Sequence, residues 1–271
     1  MGETMAYGAG AMLALLAVDA LTGSICRRPD AATTGTRLLQ ASRRLCLVLL
    51  AGALATSCRP GTGILDDLQW MATFGLAGRF GIEVAQKVGF AVMRGLGDAA
   101  RGDNLAATIA ACAHTIAIGI LVANVAAGST PEDLALAAVA FAIGQASLLV
   151  LVWAFRWLTT YDDREEILGG NVAAALSHGG LTLALALLIA HASDGEFVGF
   201  WPSMRDYGVA LAEGLVFWPL RQLLLQCLIL RARPTLFGGA LDRAVAARDL
   251  GIGALEAGTY LGLALFVRSL A

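Results

Sequence analysis

Residues 165–189, EEILGGNVAAALSHGGLTLALALLI, carry the pattern that decides the fold. They align without a gap with residues 98–122 (DAARGDNLAATIAACAHTIAIGILV) and 243–267 (RAVAARDLGIGALEAGTYLGLALFV). Each segment opens with the same polar residues and continues as a long apolar run. A helix-start motif, one residue per segment, lies in a single register: Asn104, Asn171 and Asp249. Self-similarity of this kind indicates a duplicated unit, so the chain is predicted to repeat one hydrophobic helical hairpin.

The composition places the chain in a membrane. Of its 271 residues, 58% are hydrophobic and 15% are charged, and the mean hydropathy is +0.71. Soluble domains carry about 25% charged residues, and a bilayer core takes about 20 helical residues per crossing. Eight stretches are predicted to span: 7–26, 38–57, 68–92, 104–126, 134–158, 171–191, 207–230 and 249–268. The short connections leave no room for a soluble catalytic domain.

We therefore predict an all-α polytopic membrane bundle in a single integral domain, residues 1–271, with about eight transmembrane helices. Four parallel hairpin repeats are expected at residues 7–57, which is degenerate, 68–126, 134–191 and 207–268. Successive copies contain two crossings and so keep one orientation. Glycines are expected to let helix backbones approach closely: Gly179 and Gly180 in one span, Gly258 and Gly262 in another.

The basic residues predict the orientation. Most of the 19 Lys and Arg residues lie in connections that follow odd-numbered spans, whereas the opposite connections are largely acidic. Because cytoplasmic loops hold the excess of basic residues, both termini are predicted to lie outside. The N-terminal apolar run lacks a basic n-region, so we interpret it as a first span rather than a cleaved signal peptide.

Polar residues within the apolar spans are the candidates for chemistry. A charge at mid-bilayer costs about 3 kcal/mol on insertion scales, so it needs a partner, a wet cavity or neutralisation. The candidates are Asp19, Glu83, Gln145 and Glu213 in odd spans and His114, His178 and Glu256 in even spans. They are predicted to line a pathway for protons or small cations. The alternative left open is that they hydrogen-bond one another across helices.

Three further interpretations concern single residues. Asn104, Asn171 and Asp249 suit helix N-caps, whose side-chain oxygen accepts an otherwise unpaired N–H, although ligand contact stays open. Arg79 and Glu83 are spaced i, i+4 and are expected to pair on one helix face. Pro219 is expected to bend the seventh span, because it removes a backbone donor.

Enzyme, metal and cofactor signatures are not found in the sequence. HExxH, Walker, CxxC and GxSxG motifs are missing, and the 5 cysteines show no paired spacing. We expect no catalytic residue, no metal, no cofactor and no nucleic-acid partner. Membrane lipid is the expected surrounding, and a homo-oligomer is left open.

Residues 159–190, TTYDDREEILGGNVAAALSHGGLTLALALLIA, resemble the YjfL-like membrane proteins, the family of domain of unknown function 350. The resemblance rests on Tyr161, Asp162, Glu165, Gly170, Asn171, Ala173 and Ala175. Residues 103–106 are similar to a further copy of this motif, whereas Asp249 and Gly251 depart from it. The resemblance implies a bacterial inner-membrane protein of uncharacterised activity, often encoded near amidoligase-like ATP-grasp and stress-response genes.

That gene context raises an alternative function, a membrane scaffold or anchor whose inner loops recruit a cytoplasmic ATP-grasp or stress-response partner. The acidic loop at residues 162–166 is the candidate contact surface.

Overall fold

The computed structural model describes residues 33–57, 64–194, 197, 199–235 and 237–269, and within these residues it contains helices and no strand. The helices are α1 (Thr34–Ser57), α2 (Ile64–Val92), α3 (Leu96–Arg101), α4 (Leu105–Val125), α5 (Pro131–Trp157), α6 (Asp163–Leu168), α7 (Val172–Ala192), α8 (Phe200–Gly214), α9 (Phe217–Arg221), α10 (Ala240–Ala246) and α11 (Leu250–Ser269). A π-helical segment, Gln222–Ile229, continues α9. The predicted all-α class is confirmed for this part of the chain.

Several helices are long and apolar enough to cross a membrane, which indicates a multi-pass membrane protein. In the described residues there are six: Thr34–Thr56, Leu105–Val125, Pro131–Trp157, Val172–Ala192, Phe200–Ile229 and Leu250–Ser269. Helix α2 is 29 residues long but falls outside this set, because acidic and basic residues interrupt its apolar sequence. The first predicted span, 7–26, lies outside the described residues. The predicted count of eight is therefore not reached by the helices described.

Helices α1, α4, α7 and α11 pack side by side in that order and form the core of the bundle. In the 18-residue apolar stretch of each helix, 72% of the residues are buried in α4 and 78% in α7, against 17% in α5. Helix α2 flanks α4, and α5 and α8 flank α7. Within this row, α4 and α7 are thus the interior of the molecule, whereas the end helices α1 and α11 are only 39% and 22% buried.

Close approach of α7 and α11 depends on glycine, because a side chain at the contact would meet the neighbouring backbone. A Cβ added to Gly180 would collide with the Cα of Ala257. A Cβ at Gly253 would lie 2.6 Å from the carbonyl oxygen of Ala173. The expectation for Gly180 is confirmed, whereas that for Gly258 and Gly262 is not met by the described residues, none of which lies within 4 Å of a Cβ at either position.

A short helix followed by a capped long helix occurs at α3–α4, α6–α7 and α10–α11. The cap residues are those of the shared register in the sequence. The Oδ1 atom accepts a backbone N–H three residues later, at 3.0 Å for Asn104, 3.2 Å for Asn171 and 3.1 Å for Asp249. These contacts confirm the predicted capping role. The end of the bundle that carries the three caps is called the cap end below.

The two asparagines also connect neighbouring units. The Nδ2 of Asn104 donates to the carbonyl oxygen of Leu168 at 2.9 Å, at the end of α6. The Nδ2 of Asn171 donates to that of Val245 at 2.9 Å, near the end of α10. Thr33 acts similarly before α1, since its hydroxyl accepts from the N–H of Thr36 and donates to a carbonyl oxygen at the end of α3. Each of these three side chains therefore joins one long helix to the next short helix.

The helical stretch from Phe200 to Ile229 is broken near its middle. Helix α8 ends at Gly214, and α9 begins at Phe217, two residues before Pro219. The following π-helical segment ends with the N–H of Leu230 bonded to the carbonyl oxygen of Leu225 at 2.9 Å. This geometry agrees with the bend expected at Pro219, and π-helical turns are frequent at functional sites. Arg221 ends α9 next to this segment.

Candidate functional site

A fully buried ion triad links the end of α9 to α10 and α11. The Nε of Arg221 donates to Glu256 Oε1 at 2.7 Å, and its Nη2 donates to Asp242 Oδ1 at 2.9 Å. The guanidinium also lies 4.5 Å from the ring centroid of Trp218. All three charged side chains are 0% exposed. Removing one member would leave a buried charge without its partner, which is strongly destabilising.

Asp242 connects this triad to a second cluster. Its Oδ2 accepts the backbone N–H of Thr160 at 2.9 Å and approaches the Thr160 hydroxyl at 3.3 Å. Thr160 lies in the turn between α5 and α6, next to Tyr161. The triad therefore fixes the loop that carries the second cluster.

The second cluster is centred on Arg156 at the end of α5. Its guanidinium forms a two-pronged ion pair with Asp163, the first residue of α6. It also donates to the Tyr161 hydroxyl at 3.0 Å and to the Ser177 hydroxyl at 3.1 Å. Burial raises the pKa of the Asp163 carboxyl, and Arg156 opposes that shift. Burial likewise raises the pKa of the Tyr161 hydroxyl, so this group stays protonated near neutral pH.

A cavity of about 480 Å³ lies beside this cluster at the cap end. Small-molecule sites typically measure about 300–1,000 Å³. One wall is polar and contains Arg156, Asp163 and Tyr161, while α2 and the second half of α5 supply a mostly apolar wall. The cavity is thus large enough for a small ligand and has two chemically different sides.

His114 of α4 and His178 of α7 both line this cavity. Their side chains are 8% and 5% exposed, and neither His114 Nε2 nor His178 Nδ1 has a hydrogen-bond partner among the described residues. The Nε2 atom of His114 lies against Gly89, where any larger residue would collide with it. Two predicted pathway residues from different core helices are therefore brought to one cavity, each with an unsatisfied buried nitrogen.

Among the described residues, the remaining predicted pathway residues do not line the cavity. Asp19 is outside the described residues. The side chain of Glu83 is half exposed on α2 and pairs with Arg79 at 3.1 Å, as predicted. Glu213 is exposed on α8. Gln145 is 7% exposed on α5, and neither of its amide atoms has a hydrogen-bond partner in the part of the chain that is described.

Most of the acidic loop is engaged within the protein. Asp162 caps α6 by accepting the N–H of Glu165 at 3.0 Å, and Asp163 is the buried partner of the α5 arginine. Glu166 Oε2 accepts the Asn171 amide at 2.9 Å. Glu165 is exposed. The loop is therefore chiefly a structural part of the cap end.

Sequence reasoning missed five residues of the site: Arg156, Tyr161, Asp163, Arg221 and Asp242. Arg221 carried a signal, because an arginine within an apolar span needs a partner. Asp242 carried none, since an acidic residue in a polar connection resembles any solvated charge. Among the described residues, no group of three or more His, Cys, Asp or Glu side chains could hold a metal ion.

A family model described as Domain of Unknown Function (DUF350) matches residues 129–270, which include α5 to α11. No curated protein and no solved structure matches the chain. The matched region holds the ion triad, the Arg156 cluster and His178. His114 lies before it.

Proposed function

The chain belongs to the DUF350 family, and from its buried cap-end site we propose that it is a multi-pass membrane protein that conducts protons. The observation that supports this proposal is the meeting of His114 and His178 in one cavity, each with an unpartnered ring nitrogen. An imidazole can both accept and release a proton through its ring nitrogens, which suits it to relay protons.

The charges of the two linked clusters, of which Arg156 and Asp163 line the cavity, favour a proton over a metal cation. The two linked clusters contain three carboxylates, Asp163, Asp242 and Glu256, against two guanidinium groups. A buried excess of negative charge is costly, and one bound proton would neutralise it. Glu256 Oε2 has no hydrogen-bond partner among the described residues, so it is available for that proton. Within the part of the chain that the structure describes, no group of three or more His, Cys, Asp or Glu side chains could hold a metal ion.

Proton flux into proteoliposomes tests the function. We expect the wild-type protein to acidify a dye-loaded lumen faster than empty liposomes do. His178→Gln and Glu256→Gln should lower the flux by about tenfold or more, because each amide keeps hydrogen bonds but takes up no proton. Two matched controls lie outside the cavity: His191→Gln, at the opposite end of α7, and Glu213→Gln, exposed on α8. Wild-type flux equal to that of empty liposomes from about pH 5 to about pH 8 would refute the proposal.

We also propose an eight-span bundle of four hairpin units in a bacterial inner membrane, with both termini outside. Two observations support this architecture. Each of the four core helices begins at a side-chain cap: Thr33, Asn104, Asn171 and Asp249. Helix α2, with 29 residues, would extend about 43 Å and so exceeds the ~30 Å bilayer core.

The scaffold alternative makes a different prediction. If the protein recruits a cytoplasmic partner, charge reversal at Glu165 should abolish co-purification of that partner, since Glu165 is the exposed acid of the loop. A partner lost in this way, together with no proton flux, would favour the scaffold.

A further inference from the structure

The cap-end cavity opens sideways, between α2 and α5. Its rim includes Val92, Trp153 and Trp157, which are 62%, 66% and 76% exposed. The two tryptophan rings stack with centroids 6.1 Å apart. Exposed apolar residues on helices of this kind face lipid, and tryptophan favours the level of the lipid headgroups. The mouth of the cavity therefore faces the membrane at headgroup depth.

A second cavity of about 230 Å³ lies further along the same two helices. Its lining is apolar and includes Gly78 of α2 and Ala138 of α5. Helices α2 and α5 touch at few positions along the seam between them. From Val152, in the first cavity, to Ala138 the helix rises about 21 Å. An acyl chain that reaches one leaflet's depth, about 15 Å, would follow this seam.

The polar wall indicates which headgroup fits. Two arginines line the cavity. Arg156 is neutralised by Asp163, and its guanidinium donates to Asp163, Tyr161 and Ser177, which leaves it without a free charge for an anion. Arg164 is exposed and donates its Nε–H to the carbonyl oxygen of Arg94. Among the buried side-chain atoms of the cavity lining, His114 Nε2 and His178 Nδ1 lack a hydrogen-bond partner within the described residues. A hydroxyl group both donates and accepts, so it can bond to two neutral imidazoles at once.

We propose that this cavity binds one membrane lipid whose small, uncharged head offers a hydroxyl group, as in a diacylglycerol. The hydroxyl bonds to His114 and His178, and an acyl chain leaves through the mouth beside Trp153 into the α2–α5 seam. The site does not depend on proton conduction by the same histidines.

Photocrosslinking in nanodiscs tests the lipid site. The probe is a diacylglycerol with a diazirine in one acyl chain, and labelled peptides are mapped by mass spectrometry. We expect labelling of residues in 89–96 and 148–157. Val152→Trp fills the cavity and should lower labelling by about tenfold or more. Val150→Trp is the matched control, because Val150 lies two residues away on α5, is 61% exposed and does not line the cavity. Size-exclusion profiles identify any variant that fails to fold, and Leu149→Phe then replaces Val152→Trp.

Equal labelling of the Val152→Trp and Val150→Trp proteins would overturn the proposal, because it would mean that the probe reports surrounding lipid only. Equal or stronger labelling by a phosphatidic acid probe would contradict the proposal that the bound lipid has an uncharged headgroup.

Two further variants separate this site from proton conduction. His178→Gln should keep the lipid label, since a glutamine amide both donates and accepts, while it stops proton flux. His178→Leu should lose both. Labelling without flux would therefore support the lipid site and contradict the proposed function, and flux without labelling would do the reverse.

Discussion

At the register shared by Asn104, Asn171 and Asp249, one side-chain atom determines whether asparagine is required or aspartate is sufficient. That atom is the amide nitrogen. All three positions need an acceptor for a backbone N–H at a helix start, which asparagine and aspartate supply equally well. The two asparagines also need a donor for the carbonyl groups of the next unit. Asp249 has no such carbonyl in contact within the part of the chain that is described, and its side chain is exposed. An aspartate is therefore acceptable in the last unit and unsuitable in the two before it.

This difference predicts that exchanging asparagine and aspartate changes the stability much more at position 171 than at position 249. Asn171→Asp removes the donor to Val245 and sets a carboxylate beside both that carbonyl and Glu166, in a site that is 0% exposed. We expect a loss of about 3 kcal/mol or more in the free energy of unfolding. Asp249→Asn keeps the acceptor and should change the free energy of unfolding by less than about 0.5 kcal/mol. Thermal unfolding of both purified variants in one detergent measures the difference, and similar melting temperatures would contradict the explanation.

At the scale of helices, the core depends on how near two backbones come. Gly180 and Gly253 sit where α7 and α11 approach most closely, whereas Gly258 and Gly262 on α11 face open space. Both sets look alike in the sequence, because each is a small residue in an apolar run. Only the packing partner distinguishes a glycine required by contact from one that is not.

A matched pair of substitutions measures this contact. Gly180→Ala places a methyl group against the Ala257 backbone, so α7 and α11 must separate, at a cost of about 1–3 kcal/mol. Gly258→Ala adds the same methyl group in open space and should stabilise the helix by about 0.5–1 kcal/mol. We expect the melting temperature to fall in the first variant and to rise or stay level in the second. A fall in both would mean that helix backbone preference, rather than the contact, explains the effect.

The elements that could be predicted from the sequence are those with a local signal. The starts of α4, α7 and α11 follow from the Asn or Asp register, because capping is a local interaction. The short helices α3, α6 and α10 have six or seven residues and no period long enough to reveal them. The partners of Arg221 lie 21 and 35 residues away on other elements, so no spacing rule connects them.

The candidate site could be predicted in part for the same reason. An apolar span makes a buried histidine or carboxylate conspicuous, which identified His114, His178 and Glu256. Which of them share a cavity depends on helix rotation, and the sequence does not specify it for helices with apolar residues on nearly every face. Glu83 and Glu213 were equally conspicuous, yet both lie on the exposed sides of peripheral helices.

At the scale of the whole molecule, polarity is concentrated at one end. The ion triad, the Arg156 cluster and the larger cavity all lie near the cap end, whereas the opposite half of the core is almost wholly apolar. A proton or lipid site built this way is reached from one side of the membrane more readily than from the other. The orientation of the bundle therefore decides which compartment supplies the ligand.

The charge distribution predicts that orientation. Exposed arginines surround the cap end: Arg94, Arg101, Arg164, Arg243 and Arg248. Basic residues are retained on the cytoplasmic side, so the cap end should face the cytoplasm.

Reporter fusions at Asp103 and Thr235 should then report the cytoplasm, and fusions at Pro131 and Ser193 the outside. The C-terminus, after α11 has crossed away from the cap end, should also report the outside. A cytoplasmic C-terminus beside a cytoplasmic Thr235 would mean that α11 does not span, and the eight-span architecture would then be wrong. An external report at both Asp103 and Thr235 would instead mean that the bundle has the opposite orientation and that the cap-end cavity lies on the outer side of the membrane.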